Sequence, residues 1–407
     1  LVPRALVIGG SVGGLLASNL LRTIGWDATV FERAEGDLGD RGTGIGTRQE
    51  LFDVLAQAGV RRDASIGADV RSRLCLDRAG KIVHEVPIRA VTSAWARIYR
   101  PLKTTLPAQN YHAGALLKAI EQDQDGVTAI FANGSRQRGD LLVGADGIHS
   151  TVRQQFLPEV QPHYTGYVAW RGAAAPSTVP PEFAATLFHH MIFGFPASGM
   201  VLAIPMPDAT QEANAPGRTC HCVWFQPADA AELAALCTDA ADRQHGVSIP
   251  PPLIRAELIA ALKRRAENVL APPLAHLVAQ TAQPLLQPIF DLQSPKIVFG
   301  RVALLGDAAF VARPHVATGV MKAALDARGL VDSLRSSDPE AALARYDHDR
   351  RQFGQWLVAR GRHVGAQLAA HFAAGRADGA TTRHRIDTIM REYGAAGRVA
   401  GEGITAG

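Results

Sequence analysis

The chain is short of everything that would mark it as a disulfide scaffold, a membrane span or a nucleic-acid binder. Its 407 residues hold four cysteines, Cys75, Cys220, Cys222 and Cys237, too few to staple a fold of this length. Cys220-x-Cys222 lacks a second ligand pair at zinc spacing, no H-E-x-x-H occurs, and no metal site is expected; the thiols read as buried strand residues. No apolar run approaches the length of a membrane span. A net charge of +4 without any polybasic block argues against nucleic acid as partner, although it would help attract small anions. An apolar strand pattern starts almost at the first residue, so no signal peptide is expected, and a reducing cytoplasm is the compartment inferred.

What is present is a soluble-protein composition, 47% hydrophobic and 20% charged, long enough for two domains. Ala5–Gly9, Leu15–Thr23 and Ala28–Phe31 read as a β-α-β unit. Gln49–Ala58 reads as a helix closed by Gly59, residues 70–98 as antiparallel strands, Tyr111–Gln122 as a helix, and Val127–Phe131 with Asn133-Gly134 as a hairpin. After Pro162 the texture becomes β-rich: Tyr164–Ala175, Thr186–Phe195, Met200–Pro205 and Thr219–Gln226 read as strands, followed by helical Ala228–Leu236 and Pro252–Arg265. Gly300–Leu334 returns to the α/β style, and Pro339–Ala373 reads as helix. A discontinuous nucleotide domain carrying an inserted substrate layer follows from this order. The Gly/Ala-rich stretch Arg398–Gly407 reads as a mobile tail.

Three distant segments ask for one anionic, hydroxyl-rich cofactor. In VIGGSVGGLLAS, residues 7–18, Gly9 allows a tight turn, Ser11 stands where a middle glycine is usual, and Val12-Gly13-Gly14 open a helix whose N–H groups face a pyrophosphate. Glu32, ending the next strand, suits both hydroxyls of a ribose; a solvated strand-end charge is the plain alternative. Arg33 is either a surface charge or a contact to a nicotinamide nucleotide. In GADGIHSTVR, residues 144–153, Asp146 is either a cofactor neighbour or a helix cap. In GRVALLGDAAFVARPHVATGVMKAALDA, residues 300–327, Asp307 follows an apolar strand and Gly319 opens a helix.

These motifs together resemble the single-component FAD-dependent aromatic hydroxylases, the para-hydroxybenzoate hydroxylase-like flavoprotein monooxygenases. Within them the hydroxypyridine hydroxylases are most similar, on Gly9-Gly10-Ser11, Gly42-Thr43-Gly44-Ile45, Tyr164–Gly172 and Arg313-Pro314-His315. The resemblance implies an α/β fold: a discontinuous Rossmann-like FAD-binding domain (1–70, 96–162, 281–338), an inserted β-rich α+β substrate domain (71–95, 163–280), and C-terminal helices with a tail (339–407). It implies FAD held by Gly9, Ser11, Val12, Gly13, Gly14 and Glu32. Gly44 and Ile45 would lie along the isoalloxazine, Arg100 near the phosphates, and Asp146 by the pyrophosphate and the NAD(P)H approach. Asp307 would be a buried acceptor for the ribityl chain, Pro314 would border the ring, and Gly319, Val320 and Met321 would aim N–H groups at it.

His315 is then either the base facing substrate or a brace for its loop. Tyr167 and Arg171 contact substrate or flavin, with an ion pair as the alternative for Arg171. His189, His190 and His221, on predicted strands, read as core or surface histidines. The expected activity is hydroxylation of a hydroxypyridine- or phenol-type ring with NAD(P)H and O2 through a flavin C4a-hydroperoxide. A dehydrogenase or oxidase on the same scaffold and a non-catalytic flavin-binding sensor are the alternatives. The halogenase signature W-x-W-x-I-P is absent. A homodimer is compatible with all three.

Overall fold

In the computed structural model, described residues are 2–39, 44–61, 66–197, 199–207, 218–335, 338–374 and 379–394. Gly42-Thr43 and the tail from Arg398 lie outside them. Short Val/Leu/Ile runs separated by glycine-started helices build a sheet buried on both faces. Its order is Val298–Phe299, Val302–Leu304, Leu141–Gly144, Arg4–Ile8, Asp27–Phe31, Tyr111–His112, parallel except for the first pair. Arg4–Ile8 therefore occupies the switch point, from which the chain leaves to both sides. The helices Val12–Thr23 and Gly319–Leu334 pack together over it. Gly14 permits the closest approach: a Cβ there would lie 1.9 Å from the carbonyl oxygen of Gly9, itself at φ +108°.

A nine-stranded sheet forms the second layer, ordered Phe310–Val311, Leu285–Gln293, His163–Ala174, Arg218–Pro227, Met200–Pro207, Met191–Gly194, Ala68–Leu76, Ile82–Ala94, Gly44–Thr47. Strand alternation splits its side chains between two cores. Val168, Trp170, Cys222 and Trp224 pack with Leu262, Leu274 and Leu277 of the helices Ala256–Val269 and Pro272–Gln280. Tyr167, Ala169, Val223 and Phe225 face the other way, toward Ile389 and Met390 of the helix Gly379–Glu392. All four cysteines are free and buried. Asp291, 1% exposed, accepts from Arg313 Nε at 3.1 Å and Arg362 Nη2 at 2.9 Å, tying sheet, loop and the long helix Pro339–Ala374 together. Burial would raise this carboxyl, but the two guanidiniums hold it below its ordinary value. Among the described residues no helix is long and apolar enough to cross a membrane.

Several local expectations are corrected. Tyr111–Gln122 is not a helix but the strands Tyr111–His112 and Leu117–Gln122, separated at Gly114 (φ +71°). Its backbone groups are claimed by Val30–Phe31 on one side and Val127–Phe131 on the other. Thr186–Phe195 is split: Pro181 and Glu182 start a helix to Leu187, a turn holds His189 and His190, and only Met191–Gly194 is strand. From Trp95 the chain is helical to Thr105 rather than extended. Leu285–Gln293 and Gly44–Thr47, expected in the cofactor body, hydrogen-bond into the nine-stranded sheet.

Replacing Gly14 by Ala sets a helix-propensity gain of about 1 kcal/mol against a backbone clash. The clash should win, destabilising the protein by about 2 kcal/mol, read as a lowered denaturant midpoint.

Candidate functional site

The parallel register stops four strands at one edge. Ile8 pairs with Phe31 and Gly144, and Gly144 with Leu304, so Gly9, Glu32, Asp146 and Asp307 all follow strand ends there. A cleft opens along that edge in two joined parts, one smaller and one larger, which share Ser11, Trp95, Ala145 and Gly147. The smaller is lined by Gly9, Glu32, Arg33 and Asp146. The larger runs past Val12, Gly13, Gly44, Ile45, Asp307, Pro314, Gly319 and Val320 to Arg171.

Each group is held by identifiable bonds. Glu32 is 7% exposed, and its carboxylate accepts from Gly10 N–H at 2.7 Å and Ala34 N–H at 2.8 Å, which fixes it at the cleft wall. Asp146 accepts from Ser150 Oγ at 2.5 Å, Thr151 N–H at 2.7 Å and Val152 N–H at 3.2 Å; it caps a helix and borders the cleft at once. Burial raises its carboxyl despite these donors. Arg153, fully buried, donates to the carbonyls of Ile148 at 2.6 Å and Ala308 at 3.0 Å, locking this segment to the Asp307 loop.

In the Gly319 helix, Lys322 N–H is the first to bond backward, to Thr318 O at 2.7 Å. The N–H groups of Gly319, Val320 and Met321 thus have no acceptor within the helix, and its positive end meets the cleft. Ala317, at φ +49°, turns the chain into it. Met321 is buried and contributes no cleft-lining side chain. These features fit FAD: a carboxylate for hydroxyls, a helix end and glycine turn for phosphate, and a buried ammonium, Lys322 Nζ, with no hydrogen-bond partner.

Four expected residues stand elsewhere or differently. Asp307 is not buried: its side chain is 52% exposed on the cleft wall, 3.3 Å from Lys322 Nζ. Arg100 lines neither part of the cleft; it is exposed beside Asp37 and Gly39. His315 and Tyr167 are buried behind the wall, paired through Tyr167 Oη and His315 Nε2 at 2.7 Å. Burial, with Arg313 nearby, lowers His315 to about 3, and burial pushes Tyr167 up to about 12. The phenol and the imidazole therefore share this hydrogen bond as neutral groups. The His315 carbonyl accepts Gly394 N–H at 2.7 Å.

Arg171 does reach the far end of the cleft, beside His221, which burial and Arg171 lower to about 4. Sequence reasoning missed Lys322 and Tyr393. Tyr393 closes the far end just past the helix Gly379–Glu392, where Arg73 donates to Met390 O at 2.6 Å and Arg48 to Gly394 O beyond the helix. The usable signal for Lys322 was a lone lysine in an otherwise apolar helix start.

Glu32→Ala leaves two buried N–H donors unpaired, so apo-protein should bind FAD at least about tenfold more weakly. Fluorescence titration giving wild-type affinity would remove Glu32 from the site. His315 gives a pH test. Its folded form stays neutral while the unfolded chain gains a proton below about 6.5, so its stabilising share is present above that pH and lost as pH falls toward 3. Denaturant melts of His315→Gln should therefore depend less on pH than wild type between those values.

The chain is similar to known proteins over most of its length. Residues 164–291 match a family model described as FAD binding domain-like. The chain is 30% identical to 2,6-dihydroxypyridine 3-monooxygenase of Paenarthrobacter nicotinovorans, covering 90% of this chain and 91% of that protein. It superposes on the structure of 2,6-dihydroxypyridine-3-hydroxylase from Arthrobacter nicotinovorans with a TM-score of 0.84 at 29% identity, over 90% of this chain and 93% of that one. Klebsiella pneumoniae HpxO, solved with FAD and uric acid, shares the fold at TM-score 0.73 and 24% identity, over 97% and 94% of the two chains. On these comparisons the chain belongs to the FAD-dependent aromatic hydroxylases and is a flavoprotein monooxygenase.

Proposed function

We propose that the ring hydroxylated is a hydroxypyridine or a closely related phenol-type ring, admitted at the Arg171 end of the cleft. The observation that carries this reading is the composition of that end. Met191, Ile204, Met206 and Val223 supply apolar walls, Tyr393 an aromatic side, and Arg171 the cationic side chain. Flat apolar walls suit an aromatic ring. A guanidinium favours the ionised hydroxyl, and an oxyanion substituent makes the ring more electron-rich.

Bound FAD supplies the redox chemistry, taking electrons from NAD(P)H and activating O2. The protein's own part is binding, orientation and exclusion of water. Glu32, the Gly9–Gly14 turn and the Gly319 helix end would hold the cofactor along the cleft. Arg171 would hold the substrate oxygen, and the apolar walls would keep bulk water from the reacting face. Tyr167 and His315 act from behind, fixing the Pro314 loop. Arg33, exposed where the smaller part of the cleft opens, is placed to meet an anionic nucleotide arriving from solvent. Four buried free thiols suit work in a reducing cytoplasm.

A panel of hydroxypyridines and hydroxybenzoates, assayed for stimulated NAD(P)H oxidation under isotopically heavy O2, tests the reading. One heavy oxygen atom should enter the ring of at least one hydroxypyridine. A dehydrogenated product without that atom would favour the dehydrogenase alternative, and stimulation by benzoates alone would overturn the substrate class.

A further inference from the structure

Lys322 is in an unfavourable place for a cation. It lies three residues inside the Gly319–Leu334 helix, close to the positive end of the helix dipole. Its side chain is 1% exposed, and Nζ makes no hydrogen bond. Asp326, one turn along, is already engaged by Arg350 at 2.8 Å and by Gly306 N–H at 3.1 Å. Among the described residues the only carboxylate within ion-pair distance is Asp307, at 3.3 Å, and that carboxylate stands half in the open cleft. A buried ammonium costs heavily in desolvation unless a good counter-charge repays it. One exposed, imperfectly aligned carboxylate is a poor counter-charge.

Both members of the pair line the larger part of the cleft, next to Gly319 and Gly306. Gly13, on the glycine turn, lies against the neighbouring Ala323: a Cβ built there would be 3.3 Å from the Ala323 Cβ. We infer that Lys322 is a counter-ion for FAD, its ammonium neutralising negative charge on the bound cofactor while Asp307 holds the side chain in position. That charge has two sources, the pyrophosphate and the ring once it has taken up electrons. The inference rests on FAD as the cofactor of this cleft and is independent of the substrate proposed above.

Apo-protein of wild type, Lys322→Met, Lys322→Gln and Lys322→Arg is titrated with FAD by fluorescence. The midpoint potential of each loaded form is then measured anaerobically against reference dyes. In the Met and Gln variants we expect FAD affinity to fall at least about tenfold, or the potential to fall by about 30 mV, the tenfold equivalent for a two-electron couple. Loss of affinity assigns the charge to the pyrophosphate, and loss of potential assigns it to the reduced ring. Lys322→Arg keeps the charge and should retain most of both properties. Apo-form melting separates folding from binding: removing a poorly compensated buried charge should leave the melting temperature equal or higher. Unchanged affinity and potential in the neutral variants would overturn the inference, as would an equal loss in Lys322→Arg.

Discussion

Parallel pairing of Ile8 with Phe31 and Gly144, and of Gly144 with Leu304, ends four strands on a common edge, and every group of the cofactor cleft depends on that ladder. Glu32, Asp146 and Asp307 come from segments far apart in sequence. None could be held near another by local structure alone. Backbone hydrogen bonds of a buried sheet fix their spacing because no competing partner for those groups exists in the interior. The same edge receives the open ends of the helices starting at Val12 and Gly319, so acceptors for hydroxyls and donors for anions converge there.

The second sheet walls the larger part of this cleft. Its alternation sends Trp170 and Trp224 to one side and Arg171, Val223 and Phe225 to the other, where they meet the cleft or its backing layer. Closure of the far end is electrostatic as well as apolar. Arg73 donates to Met390 O in the last turn of the helix Gly379–Glu392, where its dipole is negative, and Arg48 to Gly394 O just beyond it, which together seat Tyr393. Burial lowers the proton affinity of both guanidiniums, yet arginine remains charged at any physiological pH. Behind the wall, Tyr167 and His315 stay neutral for the same reason that the arginines are costly: few water molecules are there to solvate charge.

Much of the strand-edge geometry was legible in the sequence. Gly9, Gly14, Glu32 and Gly319 have roles set by local geometry, a tight turn, a close approach, a strand end and a helix start, and such geometry leaves a pattern in neighbouring residues. Asp146 was legible as either cofactor neighbour or cap, and its bonds show it capping a helix at the cleft edge. The errors fell where tertiary pairing overrode local pattern. Tyr111–Gln122 has helical spacing of apolar residues, but two sheets claim its backbone. Thr186–Phe195 looks extended, but Pro181 sets a helix going.

The chain's order of motifs by itself determined the α/β class and the kind of cofactor, because glycine turns, strand-end carboxylates and helix starts act over a few residues. Tertiary structure alone decided which side chains face the cleft. His315 sits next to cleft-lining Pro314 yet points into the core, and Asp307 is open where burial was expected. Lys322, marked only as a lone lysine in an apolar helix start, and Tyr393 reach the wall. Direction and burial of a side chain are set by elements packed from elsewhere in the chain, and that information is not carried in its neighbours.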